Sequence, residues 1–132
     1  MARRIARTVH PWVAALLVIG LLVQIFLAGM GVFAGASSFV THRDVGFMLQ
    51  VLPFLLILTA VLGGHGRRHA IPATVMFIQF FLQSILLLWR DDLPAIAALH
   101  PVNGVLILLI AAWLAWDAWR VRSAAAPEPA PV

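Results

Sequence analysis

The segment Pro11–Phe33, PWVAALLVIGLLVQIFLAGMGVF, contains no charged side chain. A run of roughly 20 apolar residues is enough for a helix to cross the hydrocarbon core of a bilayer. The segment therefore predicts a membrane-spanning helix. It is also longer than the roughly 7–15-residue apolar core of a secretory signal peptide, so we interpret it as a retained first span.

The rest of the chain repeats this composition. Of its 132 residues, 63% are hydrophobic and 11% are charged, which is typical of membrane proteins. Apolar segments predict four spans, at about 11–33, 45–62, 71–89 and 101–119. We expect an all-α integral membrane protein whose residues 1–122 form one antiparallel up-down four-helix bundle, because short connections make neighbouring helices antiparallel. We expect residues 123–132, which are rich in alanine and proline, to form a flexible cytoplasmic tail.

Arginines supply all of the positive charge, nine residues in total. Seven of them lie before the first predicted span, between the second and third, or after the fourth: Arg3, Arg4, Arg7, Arg67, Arg68, Arg120 and Arg122. Only Arg43 and Arg90 lie in the two remaining connections. By the positive-inside rule, this asymmetry predicts a bacterial inner-membrane protein with both termini in the cytoplasm. The expected partner of this basic chain is the lipid bilayer, not nucleic acid.

Two similar motifs begin the second and fourth spans, His42-Arg-Asp-Val-Gly46 and His100-Pro-Val-Asn-Gly104. Gln24-Ile-Phe-Leu in the first span also resembles Gln79-Phe-Phe-Leu in the third. This pattern indicates two duplicated helix hairpins in a parallel repeat. The alternative is chance recurrence in a sequence of biased composition.

The predicted topology places His42 and His100 at the outer ends of diagonal helices. Haem iron accepts two axial imidazoles, and helix bundles build such sites from facing helices. We therefore predict one b-type haem near the outer leaflet with His42 and His100 as its metal ligands. Gly46 and Gly104 would lie beside the porphyrin, where a larger side chain would collide. The alternative is that both histidines are interfacial residues at helix ends.

Four further residues are candidates for cofactor binding. Gly29 and Gly31 lie near the outer end of the first span and offer room for a macrocycle, although small residues also serve close helix packing in membranes. Arg43 and Arg90 can pair with haem propionates or stay at the headgroup level beside neighbouring aspartates. A second, cytoplasmic haem near His10, His65 and His69 is left open.

The neighbourhoods of Thr41–Arg43 and Leu99–Pro101 resemble those of haem A synthase, in which four-helix bundles carry histidines near the outer ends of two helices. Haem A synthases contain two such bundles, and this chain resembles one half. The chain also resembles a family of small four-helix actinobacterial membrane proteins with the signature Leu-His-Pro-Val-Asn-Gly, here Leu99–Gly104. That second resemblance implies no activity.

An iron with two axial imidazoles is coordinatively saturated, which favours electron transfer over oxygen chemistry. We expect an electron-transfer relay or a cytochrome-like subunit rather than a stand-alone enzyme, with other membrane redox subunits or a homo-oligomer as partners. The alternative is a non-catalytic accessory or scaffold subunit without cofactor. A small transporter is disfavoured, because no charged residue lies in the middle of a span.

Overall fold

A computed structural model describes residues 1–124. These residues form four helices or helix pairs that are long and apolar enough to cross a membrane, and they contain no strand. The chain is thus an all-α, multi-pass membrane bundle, as the sequence predicts. The predicted tail lies almost entirely outside the described residues.

The first span is a single helix, α1 (Ala2–Phe33). It begins well before Pro11, which lies buried inside the helix. A short 3₁₀ turn (Ala36–Ser38) leads into the second span. The third span is α4 (Arg67–Leu87), and a four-residue helix, α5 (Pro94–Ala97), precedes the fourth span, α6 (Leu99–Ala124).

The second span is divided into α2 (Phe39–Leu49) and α3 (Val51–Gly63). Pro53 lies just after the break at Gln50. Proline has no N–H to donate to the carbonyl four residues earlier, here that of Leu49, and its ring crowds that turn. The amide of Gln50 instead bonds the carbonyl of Phe47 at 3.3 Å, which is the tighter spacing of a 3₁₀ turn.

The helices pack as a square. α1 contacts α3 and α6, and α4 contacts the same two helices, whereas α1 and α4 make no close backbone approach within residues 1–124. The second and fourth spans are therefore diagonal partners. Large fully buried side chains fill the centre: Leu17, Leu56, Met76, Ile107 and Leu114.

The outside of the bundle is apolar. Large side chains such as Ile19, Phe26 and Leu109 are more than half exposed. A soluble monomer rarely exposes such extensive apolar surface, whereas lipid tails solvate it.

The charged side chains and the histidines of the described residues lie at the two ends of the bundle. The loop end comprises residues 34–44 and 88–100, and the basic end comprises residues 1–10, 59–69 and 113–124. At the basic end, Gly64 closes α3 in the left-handed conformation with φ 71°, which glycine adopts without the steric cost of a Cβ.

Candidate functional site

The two histidines of the repeated motif meet at the loop end. The ring centroids of His42 and His100 are 6.1 Å apart, and the ring planes are inclined by 64°. Both residues are half-buried. The diagonal packing of the second and fourth spans thus brings these rings together, although they lie far apart in the sequence.

Each ring is held by a backbone carbonyl of the preceding span. His42 Nδ1 donates to the carbonyl of Gln24 at 3.1 Å, and His100 Nδ1 donates to the carbonyl of Gln83 at 3.0 Å. A carbonyl oxygen only accepts hydrogen bonds, so each neutral ring carries its proton on Nδ1. Nε2 is left with its lone pair, which is the form in which imidazole binds a metal.

The glycines of the two motifs lie against the same glutamines. A Cβ at Gly46 would lie 3.5 Å from the Gln24 amide, and a Cβ at Gly104 would lie 3.1 Å from the Gln83 amide. The space beside both glycines is therefore filled by glutamine side chains. The predicted contact of Gly46 and Gly104 with a cofactor stays a prediction.

In this repeated arrangement, Gln83 has the same position in the second hairpin as Gln24 has in the first. The internal sequence repeat matches Gln24 with Gln79, because the residues that follow these two glutamines are alike. Instead, the carbonyl of Gln79 accepts a bond from Asn103 Nδ2 at 2.9 Å. Backbone contacts thus match the two hairpins differently from the local sequence pattern.

The other predicted cofactor residues have different surroundings. Gly29 has open space beside it, with nothing within 4 Å of an added Cβ, whereas an added Cβ at Gly31 would lie 2.6 Å from the ring of Phe39. Arg43 forms an exposed ion pair with Asp44 at 2.8 Å, and Arg90 forms one with its neighbour Asp91 at 3.4 Å.

A second cluster of histidines lies at the basic end, roughly 20 Å away along α1 at a helical rise of about 1.5 Å per residue. His10 and His69 are buried and His65 is half-buried. One ring nitrogen from each lies within 4.8 Å of the other two. Ring centroids are 4.4 Å apart for His10 and His65, and 5.0 Å apart for both other pairs.

A hydrogen-bonded chain of side chains runs through this cluster. His10 Nδ1 lies 2.7 Å from the hydroxyl of Thr59, and His10 Nε2 lies 2.8 Å from His69 Nδ1. His69 Nε2 then lies 3.0 Å from a carboxylate oxygen of Asp117, whose other oxygen is 2.6 Å from Arg68. These five side chains connect the four helices α1, α3, α4 and α6.

His65 stands apart from this chain. Its Nε2 is buried and has no hydrogen-bond partner among the described residues. Burial is the main cause that lowers the pKa of His65 below its usual value, with smaller contributions from His69 and Arg7. The ring is therefore neutral at pH 7 and has a lone pair available.

A cavity of about 680 Å³ opens beside the cluster at the basic end, and His65, His69 and Asp117 line it together with four arginines, Arg7, Arg68, Arg120 and Arg122. Three of these guanidinium groups lie over tryptophan rings. Arg120 is 4.5 Å from the centre of Trp116, Arg122 is 5.1 Å from that of Trp119, and Arg68 is 5.7 Å from that of Trp113.

Sequence reasoning did not single out Asp117 or Thr59. One signal for Asp117 was present: it is a lone acidic residue in the apolar, Trp-rich end of a predicted span, and such residues commonly mark a functional site. Thr59 gave no signal, because a threonine in a membrane helix usually bonds its own backbone.

Residues 24–88 match a family of unknown function, DUF6220. The matched range includes His42, His65 and His69, and excludes His10, His100 and Asp117. No curated protein and no solved structure matched the chain. The resemblance to haem A synthase and the actinobacterial affiliation therefore remain interpretations of the sequence.

Proposed function

We propose that the loop end binds one b-type haem through His42 and His100, and that the protein transfers electrons within the membrane. The observation that carries this proposal is the pair of neighbouring histidine rings, whose centroids are 6.1 Å apart. Each ring is bonded through Nδ1 to a backbone carbonyl, which leaves both Nε2 atoms as potential ligands.

The distance between the rings suits one metal between them. With a metal–nitrogen distance of about 2 Å and a ring centre about 1 Å beyond the nitrogen, two imidazoles on opposite sides of one metal have centroids about 6 Å apart. The observed separation of 6.1 Å is close to this value, which supports His42 and His100 as the residues that would hold the metal of a bound haem.

Nearby residues fit a polar, flat ligand. Gln24 Nε2 is buried without a hydrogen-bond partner among the described residues, and a buried donor gains stability when an acceptor reaches it. Gly29 leaves open space at this end. Arg43 and Arg90 are exposed on the rim, where they could exchange their aspartate partners for the propionates of a bound haem.

A haem with two imidazole ligands supplies one-electron redox chemistry. The chain's own residues orient the ligands through the two carbonyls and enclose the site between diagonal spans. The arginine distribution supports an orientation with the basic end in the cytoplasm of a bacterial inner membrane. In this proposal the partner is another membrane redox subunit or a second copy of the chain.

Absorption spectroscopy tests the proposal directly. The full chain is expressed with ample haem, solubilised in detergent, and measured in oxidised and reduced states. We expect a haem Soret band with reduction-dependent visible bands in the wild type, and loss of bound haem in the double variant His42→Ala, His100→Ala. His65→Ala is the matched control, because it removes a histidine from the opposite end and should leave the spectrum unchanged.

Two outcomes would refute the proposal. One is a folded wild-type protein without a Soret band under these conditions. The other is a spectrum that survives the double replacement or depends on His65.

A further inference from the structure

Ring nitrogens of three histidines converge at the basic end, and none of these histidines belongs to the haem site that we propose for the loop end. His10 comes from α1, His69 from the first turn of α4, and His65 from the connection between α3 and α4. Their ligand atoms lie within 4.8 Å of one another. Imidazole nitrogens this close together are joined either by an N–H···N hydrogen bond or by a cation that they all bind.

Thr59 determines which nitrogen of His10 points toward the cluster. The Thr59 hydroxyl is 2.8 Å from the carbonyl of Leu55 and 2.7 Å from His10 Nδ1. When the hydroxyl donates its one proton to Leu55, it accepts from His10 Nδ1–H, and His10 Nε2 then has the lone pair that a metal needs.

Asp117 has the same effect on His69. Its carboxylate accepts from His69 Nε2–H at 3.0 Å, so that His69 Nδ1 faces the cluster, 2.8 Å from His10 Nε2. Histidines that bind metals commonly donate their other N–H to a carboxylate, which orients the ring and makes the ligating nitrogen more basic. Thr59 and Asp117 thus orient the rings of His10 and His69 in the way that outer hydrogen-bond partners orient metal-binding histidines.

The third nitrogen is Nε2 of His65, which is buried and unpartnered among the described residues. A buried polar atom without a partner destabilises the fold, because it has lost its hydrogen bonds to water and gained none in the protein. A cation among the three rings would remove this cost, because it would supply the missing interaction.

We propose that His10 Nε2, His65 Nε2 and His69 Nδ1 bind one divalent transition-metal ion of the zinc type. Imidazole nitrogen is a preferred ligand of such ions. Binding replaces the hydrogen bond between His10 Nε2 and His69 Nδ1, and the proton that lies between these two nitrogens moves off them, because ligating imidazole nitrogens carry no proton. The fourth coordination position opens onto the cavity that His65 and His69 line, as in sites with three protein ligands and a bound water or anion.

The spacing of the rings favours a bare ion over a second haem. Centroid distances of 4.4–5.0 Å are shorter than the roughly 6 Å expected for imidazoles on opposite sides of a metal, and rings this close leave no slot for a porphyrin between them. For these three histidines we therefore favour a single metal ion over the cytoplasmic haem that the sequence left open.

The arginines around the cavity do not prevent binding of a cation. Asp117 pairs with Arg68, and Arg7 donates to the carbonyl of Gly63 at 2.7 Å. Arg120 and Arg122 are exposed at the rim, where water and salt screen them. Their charge would instead favour an anion as the fourth ligand.

Metal titration of the whole detergent-solubilised chain tests the proposal. The protein carries a purification tag without histidine, is stripped with a chelator, and is titrated with Zn²⁺ by calorimetry and with Co²⁺ by absorption spectroscopy. We expect one ion per chain in the wild type. His65→Ala should weaken Zn²⁺ binding at least tenfold, and it should fold normally because His65 Nε2 makes no hydrogen bond.

Two further variants separate ligation from general disruption. Asp117→Asn keeps the size of the side chain and should weaken binding about 10–100-fold, as loss of an outer carboxylate does. The double variant His42→Ala, His100→Ala should bind Zn²⁺ as tightly as the wild type, whether or not the loop end holds haem. Absent binding in the wild type, undiminished binding in His65→Ala, or dependence on His42 and His100 would each overturn the proposal.

Discussion

The loop end and the basic end of the bundle both bring histidines together, but the histidines form hydrogen bonds to different groups at the two ends. At the loop end, His42 and His100 bond to backbone carbonyls of the neighbouring spans. At the basic end, His10 and His69 bond to the side chains of Thr59 and Asp117. Ring centroids are 6.1 Å apart at the loop end and 4.4–5.0 Å apart at the basic end.

This difference has a physical consequence. A backbone carbonyl is positioned by the helix itself, so replacing its side chain leaves the acceptor in place. An aspartate or threonine acceptor disappears with its side chain and leaves the histidine without its partner. The basic end should therefore be sensitive to replacement of the residues that hold its histidines, Thr59 and Asp117, whereas the loop end should tolerate replacement of Gln24 and Gln83.

The largest effect is expected from Asp117→Ala. The carboxylate is 2% exposed and holds both His69 and Arg68, and removal of one partner from a buried pair typically costs about 3–5 kcal/mol. Because Arg68 is itself exposed, we expect the lower value of about 3 kcal/mol. Thermal unfolding in detergent, followed by circular dichroism, measures this loss.

The matched control is Asp44→Ala at the loop end. Its pair with Arg43 is exposed, and exposed pairs contribute about 0–1 kcal/mol. Equal losses of unfolding free energy in the two variants would contradict the distinction between the ends.

A slightly smaller effect is expected from Zn²⁺ on stability. A ligand present at 100 times its dissociation constant raises the free energy of unfolding by about 2.7 kcal/mol. This stabilisation should occur in the wild type and in the His42→Ala, His100→Ala variant, and should fall to about 1.4 kcal/mol or less in His65→Ala at the same Zn²⁺ concentration, because binding there is at least tenfold weaker. Melting curves with Zn²⁺ and with chelator make the comparison. Stabilisation that follows the loop-end histidines would reverse the assignment of the two ends.

Gly31→Ala should produce an intermediate effect at the loop end. The added Cβ would lie 2.6 Å from the Phe39 ring, and overpacking typically costs about 1–3 kcal/mol. Gly29→Ala is the control, since nothing lies within 4 Å of its added Cβ. Chemical or thermal unfolding of the two variants should show a loss only for Gly31→Ala; similar stabilities would mean that Phe39 moves away at little cost.

The smallest effect is expected from Gln24→Met. The Gln24 side chain has an unpartnered Nε2, whereas its backbone carbonyl holds His42. Because the carbonyl remains, we expect a change in unfolding free energy below about 1 kcal/mol and retention of most of the bound haem. Loss of the haem spectrum in Gln24→Met would show that the amide, and not only the carbonyl, is essential at the loop end.

Much of the loop end could be anticipated from local patterns. The repeated His-x-x-x-Gly elements, combined with antiparallel spans, predicted that His42 and His100 would approach each other across the bundle, and their rings do so. The surroundings of Gly46 and Gly104 could not be anticipated, since the rotamers of Gln24 and Gln83 decide what lies beside them. Those rotamers depend on packing between spans.

The basic end could not be assembled from local patterns. Its residues come from four helices and share no motif: His10, Thr59, His69 and Asp117. His65 and His69 were visible as a pair in an Arg/Gly-rich connection, but their relation to Asp117 depends on how α4 and α6 are rotated against each other. Apolar spans with few polar residues give weak signals for such rotations.

Composition and charge alone determined that this chain is a four-span α-helical membrane protein, because hydrocarbon accepts only segments whose backbone hydrogen bonds are satisfied internally. The arginine asymmetry alone predicts its orientation. Tertiary structure decided which histidines share a site, how far apart their rings lie, and whether carbonyls or side chains hold them. These features depend on the rotation and depth of each helix, which packing between helices determines rather than the hydropathy of any one span.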